Sequence, residues 1–84
     1  MTEKGAVILV VDDEKPIRRF LKAALAANHY IVHEAETGKD ALMQVANLKP
    51  DAVILDLGLP DMDGIEVTRQ LREWTQIPVI ILSV

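Results

Sequence analysis

Three aspartates that follow long apolar runs are the residues of this sequence best suited to do chemistry. Asp12 and Asp13 come directly after the run Val7–Val11, and Asp56 closes the run Ala52–Leu55. If these carboxylates meet, they repel one another unless a proton or a cation lies between them. Oxygen ligands of this kind suit Mg²⁺, and a carboxylate held beside the ion can attack a phosphoryl group. The pattern predicts a magnesium site that can form an aspartyl phosphate.

The elements that must position these acids are strands and helices in alternation. Unbroken apolar runs predict buried strands, and apolar stripes at helical spacing predict the intervening helices. The resulting order βαβαβαβ is typical of an α/β, doubly wound parallel sheet of the flavodoxin-like kind. The predicted strands are 7–11, 30–34, 52–55 and 77–84, and the predicted helices are 15–27, 65–74 and a segment between Thr37 and Pro50.

A strand order of 2-1-3-4 would bring the acids together. Strands one and three are then neighbours, and ligands of doubly wound sheets bind at the carboxyl ends of the strands where the order reverses. Ser83 follows the fourth apolar run and would stand beside the three aspartates. The second strand has a mixed composition, which predicts an edge position.

Two helices have predicted buried faces. In the first helix, the basic residues of the stretch "IRRFLK" (Arg18, Arg19 and Lys22) are interpreted as part of the solvated side, next to a buried apolar stripe. In the third helix, four residues are expected to be buried. The two sets are Ile17, Phe20, Leu21, Ala24 and Leu25 in the first helix, and Ile65, Val67, Leu71 and Trp74 in the third.

Simpler roles for the acids remain open. Asp12 and Asp13 could stabilise the start of the first helix, because acids favour a helix N-terminus, and Asp56 could form a turn. The convergence of all three at one end of the sheet favours a site. Four other polar residues are given no part in it: Asp61 and Asp63 as solvated turn residues, and His29 and His33 near the edge strand.

Size, charge and composition narrow the function. The 84 residues suffice for one small domain, and the net charge of −4 argues against direct binding to nucleic acid. The absence of cysteine excludes disulfides and thiolate metal sites and fits a reducing cytoplasm. The apolar runs are too short to cross a membrane, and the N-terminus lacks the pattern of a signal peptide.

Three motifs resemble the receiver domain of two-component response regulators. They are "VDDE", "ILDLGLPDMDG" and "IPVIILS", and the match runs through the whole chain in order. "PIRRFLKAAL", "EAETG" and "REWTQIPVIILS" are most similar to the OmpR/PhoB class, and within it to the KdpE-type potassium-response regulators. The resemblance implies a phosphorelay role in the cytoplasm and, in a full-length parent, transcription regulation.

The resemblance also implies residue roles. Asp56 would accept a phosphoryl group from the phosphohistidine of a sensor histidine kinase. Mg²⁺ (or Mn²⁺) would be held by Asp56, directly by Asp13, directly or through water by Asp12, and by the carbonyl of Gly58. Ser83 matches the switch residue whose hydroxyl contacts the phosphoryl group. Enzymatic activity would be limited to weak self-phosphorylation and slow hydrolysis of the aspartyl phosphate.

Partner surfaces follow from the same resemblance. The face of the first helix that carries Ile17, Arg18 and Phe20 would dock the kinase. The chain contains no match to the family's fourth helix, to its fifth strand with a site lysine, to its fifth helix or to a DNA-binding domain. We therefore interpret residues 1–84 as a partial receiver, and expect the exposed edge of residues 77–84 to promote self-association.

Two other function classes compete. A chemically inactive receiver could still dock a kinase or self-associate. An unrelated α/β enzyme is disfavoured because the sequence lacks G-x-G-x-x-G, and because "VVDDEKP" is too acidic to be a phosphate loop without a metal. Haloacid-type phosphatases usually carry a second aspartate two residues after the nucleophile, where this chain has Gly58.

Overall fold

Strands and helices alternate along residues 5–82, which are the residues that the computed structural model describes. The apolar runs form the strands, and each helix lies between two of them. The elements are β1 (Val7–Val11), α1 (Lys15–Ala27), β2 (Ile31–Ala35), α2 (Gly38–Leu48), β3 (Ala52–Asp56), α3 (Gly64–Arg72) and β4 (Val79–Leu82).

The four strands form one parallel sheet in the order β2-β1-β3-β4. In the register of β1 and β3, Val11 lies opposite Leu55. This order confirms the prediction, and it makes β2 an edge strand and β1 and β3 neighbours. The carboxyl ends of β1 and β3 therefore lie side by side, which is the condition for a shared site.

Alternate residues of the central strands point into two separate apolar clusters. One cluster contains Leu9 and Leu55 together with the buried faces of α2 and α3. The other contains Ile8, Val10 and Ile54, with Leu21 and Leu25 of α1 packed against them. Helices therefore cover both faces of the sheet, which explains why β1 is apolar at every position.

Local signals set the ends of α2. The hydroxyl oxygen of Thr37 accepts a hydrogen bond of 3.0 Å from the Asp40 N–H and caps the first turn, a role that threonine commonly takes at a helix N-terminus. At the other end, Lys49 adopts a left-handed conformation with φ of 50°. Pro50 follows, and proline disfavours a helical residue before it.

The predicted buried face of α1 is partly wrong. Arg18 is only 6% exposed, whereas Phe20 is 71% exposed, and Ala24 is exposed as well. Arg18 lies three residues before Leu21 and seven before Leu25, so it belongs to their stripe. The helix therefore buries a charged residue of the "IRRFLK" segment that was expected to be solvated.

The predicted buried face of α3 is also partly wrong. Val67 and Leu71 are fully buried, but Ile65 is 69% exposed and Trp74 is exposed. Ile65 precedes Val67 by two positions, which places it on the far side of the helix. The helix ends at Arg72, so Trp74 lies beyond it.

Candidate metal and phosphoryl site

The three predicted aspartates meet at the carboxyl end of the sheet. Ligand oxygens of Asp12, Asp13 and Asp56 all lie within 4.8 Å of one another. Asp12 is buried, Asp56 is half-buried and Asp13 is exposed. The site is thus open on one side, with two carboxylates after the end of β1 and one at the end of the neighbouring β3.

Asp12 is held in place by its backbone and its side chain. Its N–H donates to the Ala35 carbonyl at 3.1 Å, and its Oδ1 accepts from the Glu14 N–H at 2.8 Å. Glu14, not an aspartate, occupies the N-cap position of α1, and its side chain makes no capping bond. Asp12 therefore shapes the turn before α1 and leaves its second oxygen for the site.

The pKa of the Asp12 carboxyl is raised above its ordinary value. Burial is the main cause, the Glu14 N–H bond opposes it, the carboxylates of Asp56 and Asp13 raise the pKa further, and the Arg18 guanidinium lowers it. Because ionisation of such a carboxyl is unfavourable without a cation, a cation beside it stabilises the charged form strongly. This cluster is therefore suited to a cation.

The donor set fits Mg²⁺. Oxygens bound to one Mg²⁺ lie about 2.1 Å from it and hence at most roughly 4.2 Å apart. The observed separation of up to 4.8 Å is close to this limit, so small side-chain rotations suffice. Asp12, Asp13 and Asp56 would hold the ion, and the remaining positions suit water, a backbone carbonyl or a phosphoryl oxygen.

The backbone at Asp56 packs so closely against Gly64 that only a glycine fits there, whereas Gly58 is under no such constraint. A Cβ at Gly64 would lie 2.7 Å from the Asp56 carbonyl oxygen, and the Gly64 N–H donates to the Leu57 carbonyl at 2.9 Å. A Cβ at Gly58 would meet the Asp56 Oδ2 at an ordinary 3.9 Å. The role of the Gly58 carbonyl as a ligand stays a prediction.

The loop after β3 is anchored by the two aspartates that were expected to be solvated turn residues. The Asp61 carboxylate accepts from the N–H groups of Gly38 and Lys39 at 2.8 and 2.9 Å. These two bonds lower the pKa of Asp61 below its ordinary value. Asp63 accepts from the Glu66 N–H at 2.8 Å and caps α3. Both residues therefore position the loop that follows Asp56.

Arg18 was predicted only as part of the docking face, and its contact with the acidic turn was missed by sequence reasoning. Its guanidinium donates to the Asp12 carbonyl at 2.7 Å, to Glu34 at 3.2 Å and to Glu36 at 3.1 Å. The spacing of Arg18 from Leu21 and Leu25 was the available signal. Because Arg18 is buried, only Ile17 and Phe20 of the predicted docking face remain candidates for contact with a partner.

The last predicted site residue, Ser83, lies outside the described residues. Leu82, which precedes it, is the register partner of Asp56 in the pairing of β3 with β4. The end of β4 therefore lies next to the end of β3. The switch role of Ser83 stays a prediction.

Comparison with known proteins identifies the fold and the family. Residues 8–84 match the response regulator receiver domain. The chain is 55% identical to the KDP operon transcriptional regulatory protein KdpE of Escherichia coli, over 90% of this chain and 34% of that protein. It is 52% identical to KdpE of Mycobacterium tuberculosis, over 92% of this chain and 34% of the relative. The chain thus spans about a third of the length of these relatives.

Solved structures of receiver domains have the same fold as this chain. The receiver domain of Francisella response regulator 1452 gives a TM-score of 0.90 at 35% identity, covering 94% of this chain and 66% of that one. The BeF3-activated N-terminal receiver domain of Klebsiella pneumoniae RstA gives 0.87 at 31% identity, covering 93% and 69%. The predicted flavodoxin-like receiver fold and the resemblance to KdpE-type regulators are confirmed. The chain belongs to the response regulator receiver domain family.

Proposed function

We propose that this chain accepts a phosphoryl group on Asp56, in a Mg²⁺-dependent reaction, from the phosphohistidine of a sensor histidine kinase. The supporting observation is the cluster of Asp12, Asp13 and Asp56, whose ligand oxygens lie within 4.8 Å at adjoining strand ends. Membership of the receiver family supports the same role. Mn²⁺, with similar oxygen preference, would substitute for Mg²⁺.

The three carboxylates have two different roles in this proposal. Asp12 is buried and already bonded to the Glu14 N–H, and Asp13 is exposed beside it, so this pair suits cation binding. Asp56 is half-buried at the end of a rigid strand and suits attack on an incoming group. The Gly58 carbonyl would complete the protein ligands, and the Ser83 hydroxyl would contact the phosphoryl group.

In the transfer, an Asp56 carboxylate oxygen bonds to phosphorus as the phosphorus–nitrogen bond of the phosphohistidine breaks. The leaving imidazole takes up a proton. When bound, Mg²⁺ supplies neutralisation of the charge that develops on the phosphoryl oxygens. The same geometry would support slow self-phosphorylation from small acyl phosphates and slow hydrolysis of the product.

The kinase would dock on α1 next to the site. Phe20 is 71% exposed and Ile17 is half-buried, so both offer apolar contact close to the acidic turn.

No helix within residues 5–82 is both long and apolar enough to cross a membrane. A cytoplasmic location and a place as the phosphoacceptor part of a longer transcription regulator accord with the relatives that the chain matches.

Self-association is a second proposal, and it rests on β4. This strand is at the edge of the described sheet, and its Ile80 and Ile81 are 55% and 41% exposed. An exposed apolar edge favours pairing with another chain, so two copies would pair edge to edge or exchange residues 77–84. A monomeric, cooperatively folded sample at micromolar concentration in sedimentation would refute this proposal.

Intact-protein mass after incubation with Mg²⁺ and acetyl phosphate tests the main proposal. We expect a labile gain of one phosphoryl group that disappears with chelator and in Asp56→Asn. Asp63→Asn is the matched control, because it makes the same change in the next loop and asparagine still caps a helix. A folded protein with no gain would favour the inactive, docking-only receiver.

A further inference from the structure

The buried guanidinium of Arg18 connects three parts of the molecule next to the acidic cluster. Nη1 donates to the Asp12 carbonyl, Nε to Glu34 and Nη2 to Glu36. Burial of an unpaired charge is costly, and these three acceptors make the buried arginine tolerable. The arrangement joins α1 to the end of β1 and to β2.

The carbonyl that Arg18 holds belongs to the peptide bond between Asp12 and Asp13. The N–H of Asp12 is held on its other side by the Ala35 carbonyl at 3.1 Å. Because a peptide unit is planar, fixing its carbonyl also fixes the direction in which the chain leaves Asp12 and enters Asp13. The guanidinium thus holds the backbone between the two carboxylates and makes a hydrogen bond to neither of them, while the Glu14 N–H holds the Asp12 carboxylate itself.

The charges around this guanidinium suit a neighbouring cation site. One positive charge beside the cluster would by itself repel a divalent cation. Glu34 and Glu36 each form an ion pair with Arg18, at 3.2 and 3.1 Å, and so offset its charge. The arginine can thus act as a hydrogen-bond donor to the acidic turn with little electrostatic penalty for a cation.

We propose that Arg18 is a positioning residue for the divalent-cation site, and that it acts by holding the Asp12–Asp13 peptide so that both carboxylates face Asp56. This inference rests on the proposed cation site and adds to it a residue outside the ligand set. Groups that orient metal ligands commonly change metal affinity by about 10- to 100-fold when they are removed.

The test is the affinity for Mn²⁺ alone, measured from the electron paramagnetic resonance signal of the free ion. Arg18→Met keeps much of the side-chain volume and is expected to bind Mn²⁺ about tenfold more weakly. The matched control is Arg69→Met, because Arg69 also pairs with two glutamates, Glu66 and Glu73, but on α3. We expect it to bind like the parent protein.

The direction of the change in Mn²⁺ affinity distinguishes a positioning role of Arg18 from an effect of its charge, and a test of folding distinguishes it from a loss of stability. Loss of a positive charge alone would strengthen cation binding, so weaker binding by a folded Arg18→Met supports positioning. Arg18→Lys keeps the charge but cannot hold all three acceptors at once, and it is expected to bind more weakly than the parent. Parent-like or tighter binding by either folded variant overturns the inference. The parent protein should also bind Mn²⁺ in a way that Asp13→Asn abolishes. If it does not, the proposed cation site itself is overturned as well.

Discussion

A substitution at Gly64 tests how the packing under Asp56 holds the site. A Cβ at this position would lie 2.7 Å from the Asp56 carbonyl oxygen, 3.0 Å from the Leu57 Cα and 3.3 Å from the Asp56 carbonyl carbon. All three are backbone atoms, so no flexible side chain can move aside. Gly64→Ala must therefore shift either the end of β3 or the start of α3.

The magnitude follows from two opposing effects. Overpacking of this kind costs about 1–3 kcal/mol. Replacing glycine by alanine without strain stabilises by about 0.4–1 kcal/mol, because the unfolded chain loses freedom. For Gly64→Ala we expect a net loss of about 1–2 kcal/mol in the free energy of unfolding. The displaced Asp56 should also weaken Mn²⁺ binding.

Gly58→Ala is the matched control. Neither glycine has a positive φ, and among the described atoms a Cβ at Gly58 would meet only the Asp56 Oδ2, at 3.9 Å. This variant should be neutral or slightly stabilised, which leaves a gap of about 2 kcal/mol between the two variants. For a domain of this size the gap corresponds to roughly 8–16 °C in Tm. Urea and thermal unfolding followed by circular dichroism measure it, and equal stability of the two variants would refute the reasoning.

Two further predictions concern carboxylates. In the absence of metal, Asp12→Asn should raise the free energy of unfolding at pH 7, because burial raises the pKa of Asp12 and ionisation therefore disfavours the fold. The advantage should fade as the pH falls through the raised pKa of the folded state, and it should be gone below the ordinary pKa of aspartate. Mg²⁺ should stabilise the parent but not the variant in urea unfolding. Asp61→Ala should lower Tm at pH 7, because the N–H groups of Gly38 and Lys39 depress the pKa of Asp61. This stabilising contribution of Asp61 is present above its unfolded pKa and is lost as the pH falls through its folded pKa. A Tm difference between parent and variant that persists in strong acid would contradict the prediction.

The site was predictable to the extent that it depends on strand ends. Asp12 and Asp56 close apolar runs, and parallel strands bring their carboxyl ends to one edge of the sheet. The requirement for glycine at position 64 was not predictable in this way. It arises only because α3 packs against the Asp56 carbonyl, where no side chain fits. Helix faces were predictable only in part, since Arg18 occupies a position in the buried stripe that composition assigns to solvent.

The sequence by itself determined which segments are strands and helices, where α2 begins and ends, and which acids stand at strand ends. These properties depend on neighbouring residues: apolar runs, helical spacing, and caps such as Thr37. Only the tertiary structure decided the partners of Arg18 and of Asp61. Arg18, in the first turn of α1, meets Glu34 near the carboxyl end of β2 and Glu36 just after that strand. Asp61 caps a helix that begins more than twenty residues earlier. Such pairs join residues that are distant along the chain and form only when separate elements pack on the sheet, so the local pattern around either residue does not specify its partner.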